Sequence, residues 1–352
     1  MTVNVIVALL PVVVFLAILF LMDSFKLVPF RALGLALCAG ALAALAALAL
    51  HLWLWPASGL SDRAFPRYVA PFTEETLKAI YVVVALRQRR LGFLVDAAVI
   101  GFAVGTGFAL VENMDYLRAG HDTRLLLWVV RGFGSAVLHP TTTALFAMLA
   151  KMLSDRHPAQ PVRALVPGWL AAVALHSAYN HVLDWAIVAT GILLVVLPLL
   201  ITFVFERSEK ATREWVGEGL DLDVELLNLV TSADFGGTRL GGYLRELRAH
   251  FAGPVVADMF CLLRIELELA IRTKGMLMAR EAGLDVAVDP ALKAKLKELH
   301  YLRSSIGKTG MLALQPLRVT TDRDDWHRYL LEQAGMQSRL DRIKAFVGRG
   351  RN

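Results

Sequence analysis

The chain has 352 residues, 56% of them hydrophobic, and a formal net charge of +6; its mean hydropathy is +0.53. Soluble domains sit nearer roughly 45–50% apolar, which sets an ordinary soluble fold aside. The modest positive charge does not describe a nucleic-acid-binding surface, and two cysteines in different regions, Cys38 and Cys261, do not make a disulfide framework.

A helix needs about 20 apolar residues to cross the hydrocarbon core. Read in chain order, seven segments qualify as predicted spans: 5–21, 33–55, 69–86, 93–112, 125–153, 164–184 and 185–205. The last two have almost no loop between them; one long kinked helix there would reduce the count to six. The first has no basic leading region and no small-residue cleavage site, so it reads as an anchor and not as a cleaved signal peptide. Beyond 205 the composition changes. Residues 1–205 hold 14 Lys and Arg and 10 Asp and Glu, against 23 and 21 in residues 206–352. The expected architecture is therefore all-α: a polytopic bundle of about seven spans over 1–205, followed by a helical domain over 206–352.

Loop charges give an orientation. One set of loops carries Lys26 and Arg31, then Arg87, Arg89 and Arg90, then Lys151, Arg156 and Arg163, then Arg207, Lys210 and Arg213; the opposite set carries only Arg63, Arg67, Arg118 and Arg124. Positive residues collect on the cytoplasmic side. The expectation is an N-terminus outside and a C-terminal domain in the cytoplasm.

The third span contains Glu74, Glu75 and Lys78, the fourth begins near Asp96 and ends at Glu112, the fifth contains Arg131 and His139, and the sixth contains His176. Each such group at the bilayer centre costs about 2.5–3.5 kcal/mol on insertion scales, and such residues by default face a bundle interior or an aqueous cavity. At 1.5 Å per residue, Glu74, Glu112, His139 and His176 lie roughly 7, 0–3, 20 and 12 Å below the outer surface, all in its outer two-thirds. Helical spacing puts Glu74 and Lys78 on one face, with Glu75 turned about 100° away, and pairs His176 with Asn180 and His139 with Thr142 and Thr143. Gly101, Gly105 and Gly107 thin the fourth span so that neighbouring backbones can approach it closely.

These residues form an ordered series: Glu74-Glu75-Thr76-Leu77-Lys78, Phe108 to Glu112-Asn113, His139 with Thr142 and Thr143, and His176-Ser177-Ala178-Tyr179-Asn180. The series resembles the PrsW family of bacterial intramembrane proteases, relatives of the CAAX-prenyl endopeptidases, over roughly residues 66–185. The resemblance implies an integral protein of the bacterial cytoplasmic membrane. It also implies an endopeptidase acting on a membrane-anchored protein substrate, such as an anti-sigma factor, near the outer membrane face.

Peptide hydrolysis needs an activated water, an oxyanion stabiliser and a proton donor for the leaving amine. The expected catalytic set is Glu74, Glu75, Glu112, His139 and His176. Glu74 or Glu75 is the base, the histidines steady the oxyanion or shuttle protons, and Lys78, Asn180 and Asn113 support. Relation to the prenyl endopeptidases favours a metal-free glutamate mechanism, with no cofactor. The alternative is a Zn2+ site made by Glu112, His139 and His176, since two histidines, a glutamate and one open position are a catalytic zinc set. Arg131 and Asp96 read as ion-pair or headgroup partners; His51, His121, His157 and His181 receive no role.

Two other classes use similar residues. A transporter or proton channel also needs intramembrane carboxylates and histidines, but no inverted repeat is visible. A catalytically dead scaffold has no need of the whole series. In the C-terminal domain, 255–282 and 290–304 read as helices, Gly236-Gly237 and Gly241-Gly242 as turns, and Asp289-Pro290 as a helix start. Regulation, partner docking and oligomerisation are the roles left open for it.

Overall fold

The computed structural model describes residues 2–119, 125–157, 161–182, 185–284, 290–317, 326 and 329–331. Every regular element among them is helical. Inside lipid an N–H or C=O has no water to bond, so an apolar segment closes its own hydrogen bonds as a helix. The elements are α1 (Thr2–Met22), α2 (Phe30–Ser58), α3 (Ala70–Arg87), α4 (Leu94–Ala119), α5 (Leu125–Val130), α6 (Ala136–Arg156), α7 (Pro161–His181), α8 (Ala186–Thr231), α9 (Arg239–Leu247), α10 (Gly253–Glu281) and α11 (Pro290–Ala313).

Each of the seven predicted segments contains helix. Five helices, α1, α2, α4, the continuous rod Leu125–Arg156 and α8, are long and apolar enough to cross a membrane. The third and sixth predicted spans form as α3 and α7 but carry more polar groups: α3 holds Glu74, Glu75, Lys78 and Arg87 within 18 residues. Residues 183 and 184, at the end of the sixth predicted span, lie outside the described residues, as do His121 and Asp289. Two boundaries differ from expectation. α4 continues to Ala119, so Glu112 sits within a helix and not at its end. α8 runs unbroken past 205–207 to Thr231, so the change of composition is carried by one continuous helix and not by a linker.

The chain divides into two compact units, Met1–Lys210 and Ala211–Asn352. In the first, α4 is central: 83% of its most apolar window is buried, against 11% for α8. Leu35 and Leu42 on α2 and Ile192 and Leu199 on α8 are exposed, as lipid-facing side chains are. Glycines set the approach to α4. A Cβ on Gly107 would lie 2.0 Å from the Leu37 carbonyl oxygen, one on Gly105 2.3 Å from Pro140 Cα, and one on Gly101 2.7 Å from the Thr143 carbonyl oxygen. The first contact seats α2 and the other two seat α6 directly against the α4 backbone. Asp96 caps the start of α4, accepting from the backbone N–H groups of Gly92 at 2.6 Å and Phe93 at 2.8 Å. That is a local structural duty.

Two single π-helical turns interrupt this unit: Phe65–Val69 just before α3, and Arg131–Ser135 between α5 and α6. Such turns insert a residue, widen the helix locally and frequently accompany functional sites.

The second unit buries Met259, Leu262 and Leu269 of α10 in one core with Leu299 and Leu302 of α11. Gly236-Gly237 form part of a short 3₁₀ turn, but Gly241-Gly242 lie inside α9 and make no turn. The glycine at 241 serves close packing, since a Cβ there would sit 2.1 Å from the Phe235 carbonyl oxygen. Asp223 and Lys274 form an ion pair at 2.7 Å, largely enclosed, with the ammonium 5.1 Å from the Trp215 ring centroid.

Candidate active site

The ionisable residues of the membrane helices converge. α3 brings Glu74, Glu75 and Lys78, α4 brings Glu112, α6 brings His139, and α7 brings His176; all but Glu112, which is partly exposed, are buried. Gly105 makes this geometry accessible, because it lets the His139–Pro140 backbone rest on α4 a few residues from Glu112.

Glu75 is saturated on one oxygen. Its Oε1 accepts from Lys78 Nζ at 2.6 Å, from His176 Nδ1 at 2.8 Å and from Thr142 Oγ1 at 3.1 Å. Lys78 therefore pairs with Glu75, at i, i+3, and not with Glu74 at i, i+4; both spacings are neighbours on a helix. The ammonium also lies 3.2 Å from His139 Nδ1 and 4.8 Å from the centre of the Phe108 ring. His139 Nε2 lies 2.8 Å from Glu112 Oε2.

The donors follow from these contacts. A carboxylate only accepts and an ammonium only donates. His139 thus carries its proton on Nε2, facing Glu112, and leaves the Nδ1 lone pair free for Lys78. His176 carries its proton on Nδ1, facing Glu75, and leaves the Nε2 lone pair free. Both unprotonated nitrogens face one atom: Glu74 Oε2 lies 3.9 Å from His139 Nδ1 and 3.9 Å from His176 Nε2. That oxygen is buried and has no hydrogen-bond donor among the described residues. Three acceptors therefore surround a small volume, and among the described residues the Lys78 ammonium alone supplies a donor there, to one of them.

This donor set fits a divalent metal. The ligand atoms of Glu74, His139 and His176 all lie within 4.8 Å of one another. Tetrahedral zinc with ligands at about 2.0–2.2 Å holds them about 3.4 Å apart, so the two contacts at 3.9 Å would close by about 0.5 Å and the widest separation by at most about 1.4 Å. Each histidine donates its other ring N–H to a carboxylate, the outer arrangement that fixes tautomer and orientation at zinc sites. The metal triad weighed from sequence, Glu112 with the two histidines, is not the one assembled. Glu112 holds the opposite nitrogen of His139 and stands behind that ring.

The supporting residues separate. Thr142 and Thr143 both bond the His139 carbonyl, at 3.0 and 2.9 Å, and Thr142 also reaches Glu75. Asn180 does not reach into the cluster: its Nδ2 donates to the Pro66 carbonyl at 2.8 Å, while Ser177 donates to the Arg67 carbonyl at 2.6 Å. Together they tie α7 to the π-helical turn that leads into α3. Asn113 donates to the Ala8 carbonyl at 2.7 Å and locks α4 to α1. His51 bonds Thr73 at 2.7 Å, one residue before Glu74, a contact that no spacing in the chain singles out.

A bundle of apolar helices enclosing carboxylates and imidazoles that share one small volume has the parts of a hydrolase that works inside the membrane. The chain belongs to the PrsW family of intramembrane metalloproteases, whose family model matches residues 28–205. No curated protein matches the chain, and no solved structure does. The protein is accordingly an integral membrane protein and an intramembrane protease. The match spans α3, α4, α6 and α7, the helices that build the cluster.

Proposed function

We propose that the chain cuts a peptide bond in a membrane-anchored protein at the Glu74–His139–His176 cluster, near the outer face, with these three residues holding a zinc ion. The carrying observation is the trio of acceptor atoms around one volume, each histidine oriented by a carboxylate behind it. When bound there, the ion supplies Lewis-acid polarisation of the scissile carbonyl and a lowered pKa for water. Glu112 and Glu75 hold the imidazoles in the tautomers that present His139 Nδ1 and His176 Nε2. Glu112 stands behind His139 and reaches the site only through an intervening water; by that relay its Oε1, the oxygen not bonded to His139, takes the proton of the attacking water and passes it to the leaving amine nitrogen. The helices exclude bulk water, which strengthens each of these electrostatic contacts.

A second reading rests on Lys78. Its ammonium lies 3.2 Å from the His139 Nδ1 lone pair that a metal would take. In a metal-free mechanism Lys78 keeps that place, Glu74 Oε2 is the base that activates water, and His176 Nε2 aligns the same water. Prolonged treatment of the purified protein with a strong chelator separates the two. Activity is expected to fall to background and to return with added zinc, with close to one equivalent of metal found in the active preparation. Undiminished activity in metal-depleted protein overturns the zinc site and leaves the glutamate mechanism.

The seven predicted segments up to residue 205 are proposed to span the bilayer, with the N-terminus outside and the second unit in the cytoplasm, on the loop charges. A reporter fused after Arg213 is expected to be protected from the outer side, and one inserted near His121 to be exported. The reverse pattern overturns both the orientation and the outer-face position of the cut.

A further inference from the structure

Arg131 stands beside the cluster with two of its three guanidinium nitrogens lacking a hydrogen-bond acceptor among the described residues. It begins the π-helical turn Arg131–Ser135. Its side chain is 15% exposed, and its Nη2 lies 3.9 Å from Glu112 Oε1, close enough for charge attraction but beyond hydrogen-bond reach. Both Nε and Nη2 are buried and have no acceptor among the described residues. The guanidinium carbon sits 3.4 Å from the centre of the Tyr116 ring, so one face of the planar group is already covered. What remains unmet are in-plane N–H donors next to the catalytic carboxylate.

Leaving charged donors unmet in a buried site is costly, and in a membrane helix such a group marks function by default. The surroundings specify the missing acceptor. Glu112 already supplies a negative charge at 3.9 Å, and a second carboxylate there would be repelled by it. A neutral acceptor with two accessible oxygens or two neighbouring oxygens fits better. Cleavage itself creates that acceptor. A substrate helix must unwind before its peptide bond can be attacked, and every unwound residue leaves a main-chain carbonyl with no partner in a water-poor setting. The planar fork of an arginine suits two such oxygens, as a lysine point charge does not.

We propose that Arg131 is a substrate-binding residue that takes main-chain carbonyl oxygens of the unwound segment beside the scissile bond, on the Glu112 side of the cluster. The proposal rests on the reading of this cluster as the cleavage site. It also gives the π-helical turn a purpose: the inserted residue rotates Arg131 out of regular helical register and presents its donors beside Glu112. The same contact makes selection among substrates depend on how easily a segment unwinds and not on its side chains.

The test uses the full chain in detergent and a synthetic single-span peptide, built of leucine and alanine with a Gly-Ser-Gly break one third along. Binding is measured on the Glu74→Gln protein, so that it does not depend on catalysis. Adding Arg131→Met is expected to weaken peptide binding by about 10- to 100-fold, the range for losing hydrogen bonds to a charged group. Arg131→Lys in the same background should recover only part of this. The thermal midpoint of Arg131→Met should equal or exceed that of the parent, because the unmet donors are gone. An ester in place of the amide at the break, which weakens the carbonyl acceptor, should reduce binding with Arg131 present and change little with Met. Equal binding with and without Arg131, no binding of the peptide to Glu74→Gln, or a midpoint lowered by several degrees overturns the proposal. Cleavage by the wild-type chain is scored separately: cleavage with equal binding sinks Arg131 alone, and binding without cleavage sinks the cleavage site on which it rests.

Discussion

Glu74→Gln, His139→Ala and His176→Ala are each expected to lower peptide-bond cleavage by about 10²–10⁴-fold while the protein still accumulates in the membrane. The expectation holds under either mechanism. Glu74 Oε2 is buried with no donor among the described residues, and the two unprotonated imidazole nitrogens each face it at 3.9 Å. As a zinc ligand, Glu74 is lost as a charged oxygen; as a base, it is lost as a proton acceptor. The amide in Glu74→Gln keeps the volume and removes both capacities, which separates chemistry from packing. His181→Ala is the control. That ring bonds the Ser177 carbonyl at 2.8 Å and rests against Tyr68, away from the cluster, so cleavage should persist. Proteoliposomes with a single-span peptide, read by mass spectrometry of the products, give the measurement. Normal cleavage by all three variants would remove the cluster from the reaction, whatever family the chain belongs to.

How far this was legible can be followed residue by residue. The residues that meet in the cluster were readable because a charge in an apolar helix has few places to go: it faces the interior. The close helix contacts were readable from Gly101, Gly105 and Gly107, because a missing Cβ in a membrane helix marks a backbone approach. The pairing within the cluster was not readable. Helical spacing set Lys78 with Glu74, but a lysine reaches i−3 as easily as i−4, and the choice of Glu75 was made by His176 and Thr142, which arrive from other helices. Spacing likewise aimed Asn180 with His176, whereas Asn180 was claimed by a backbone carbonyl in the turn before α3. That carbonyl lies in the Phe65–Val69 turn, which departs from regular α-helix, and no side-chain pattern announces that departure. The metal triad differed for a related reason. Sequence can count two histidines and a glutamate, but which ring nitrogen each carboxylate holds is a property of the assembled bundle. Sequence reads Arg131 as an ion-pair partner, and its Nη2 does lie 3.9 Å from Glu112; that two of its nitrogens lack an acceptor appears only in three dimensions.

Lys78→Met is expected to be among the most destabilising single changes in the membrane unit. Its ammonium is fully enclosed, bonds Glu75 at 2.6 Å, and is the only lysine or arginine forming an ion pair with that carboxylate among the described residues. Removing one member of a buried ion pair leaves the other charge uncompensated and typically costs about 3–5 kcal/mol. His176 and Thr142 still donate to Glu75, but neutral donors replace a cation only in part. The double variant Glu75→Gln/Lys78→Met removes both charges together and should recover most of the loss, so the two single changes will not add. Thermal unfolding in detergent across the four proteins measures the coupling. An unchanged midpoint for Lys78→Met, or strict additivity of the two changes, would show that the pair does not hold the cluster together. The same variant bears on mechanism through a different readout. With Lys78 gone, His139 Nδ1 loses its donor at 3.2 Å, and among the described residues no other takes that lone pair. A zinc site should then bind its metal at least as tightly per folded molecule, whereas a metal-free site loses the cation that orients His139 and should lose cleavage without gaining any metal.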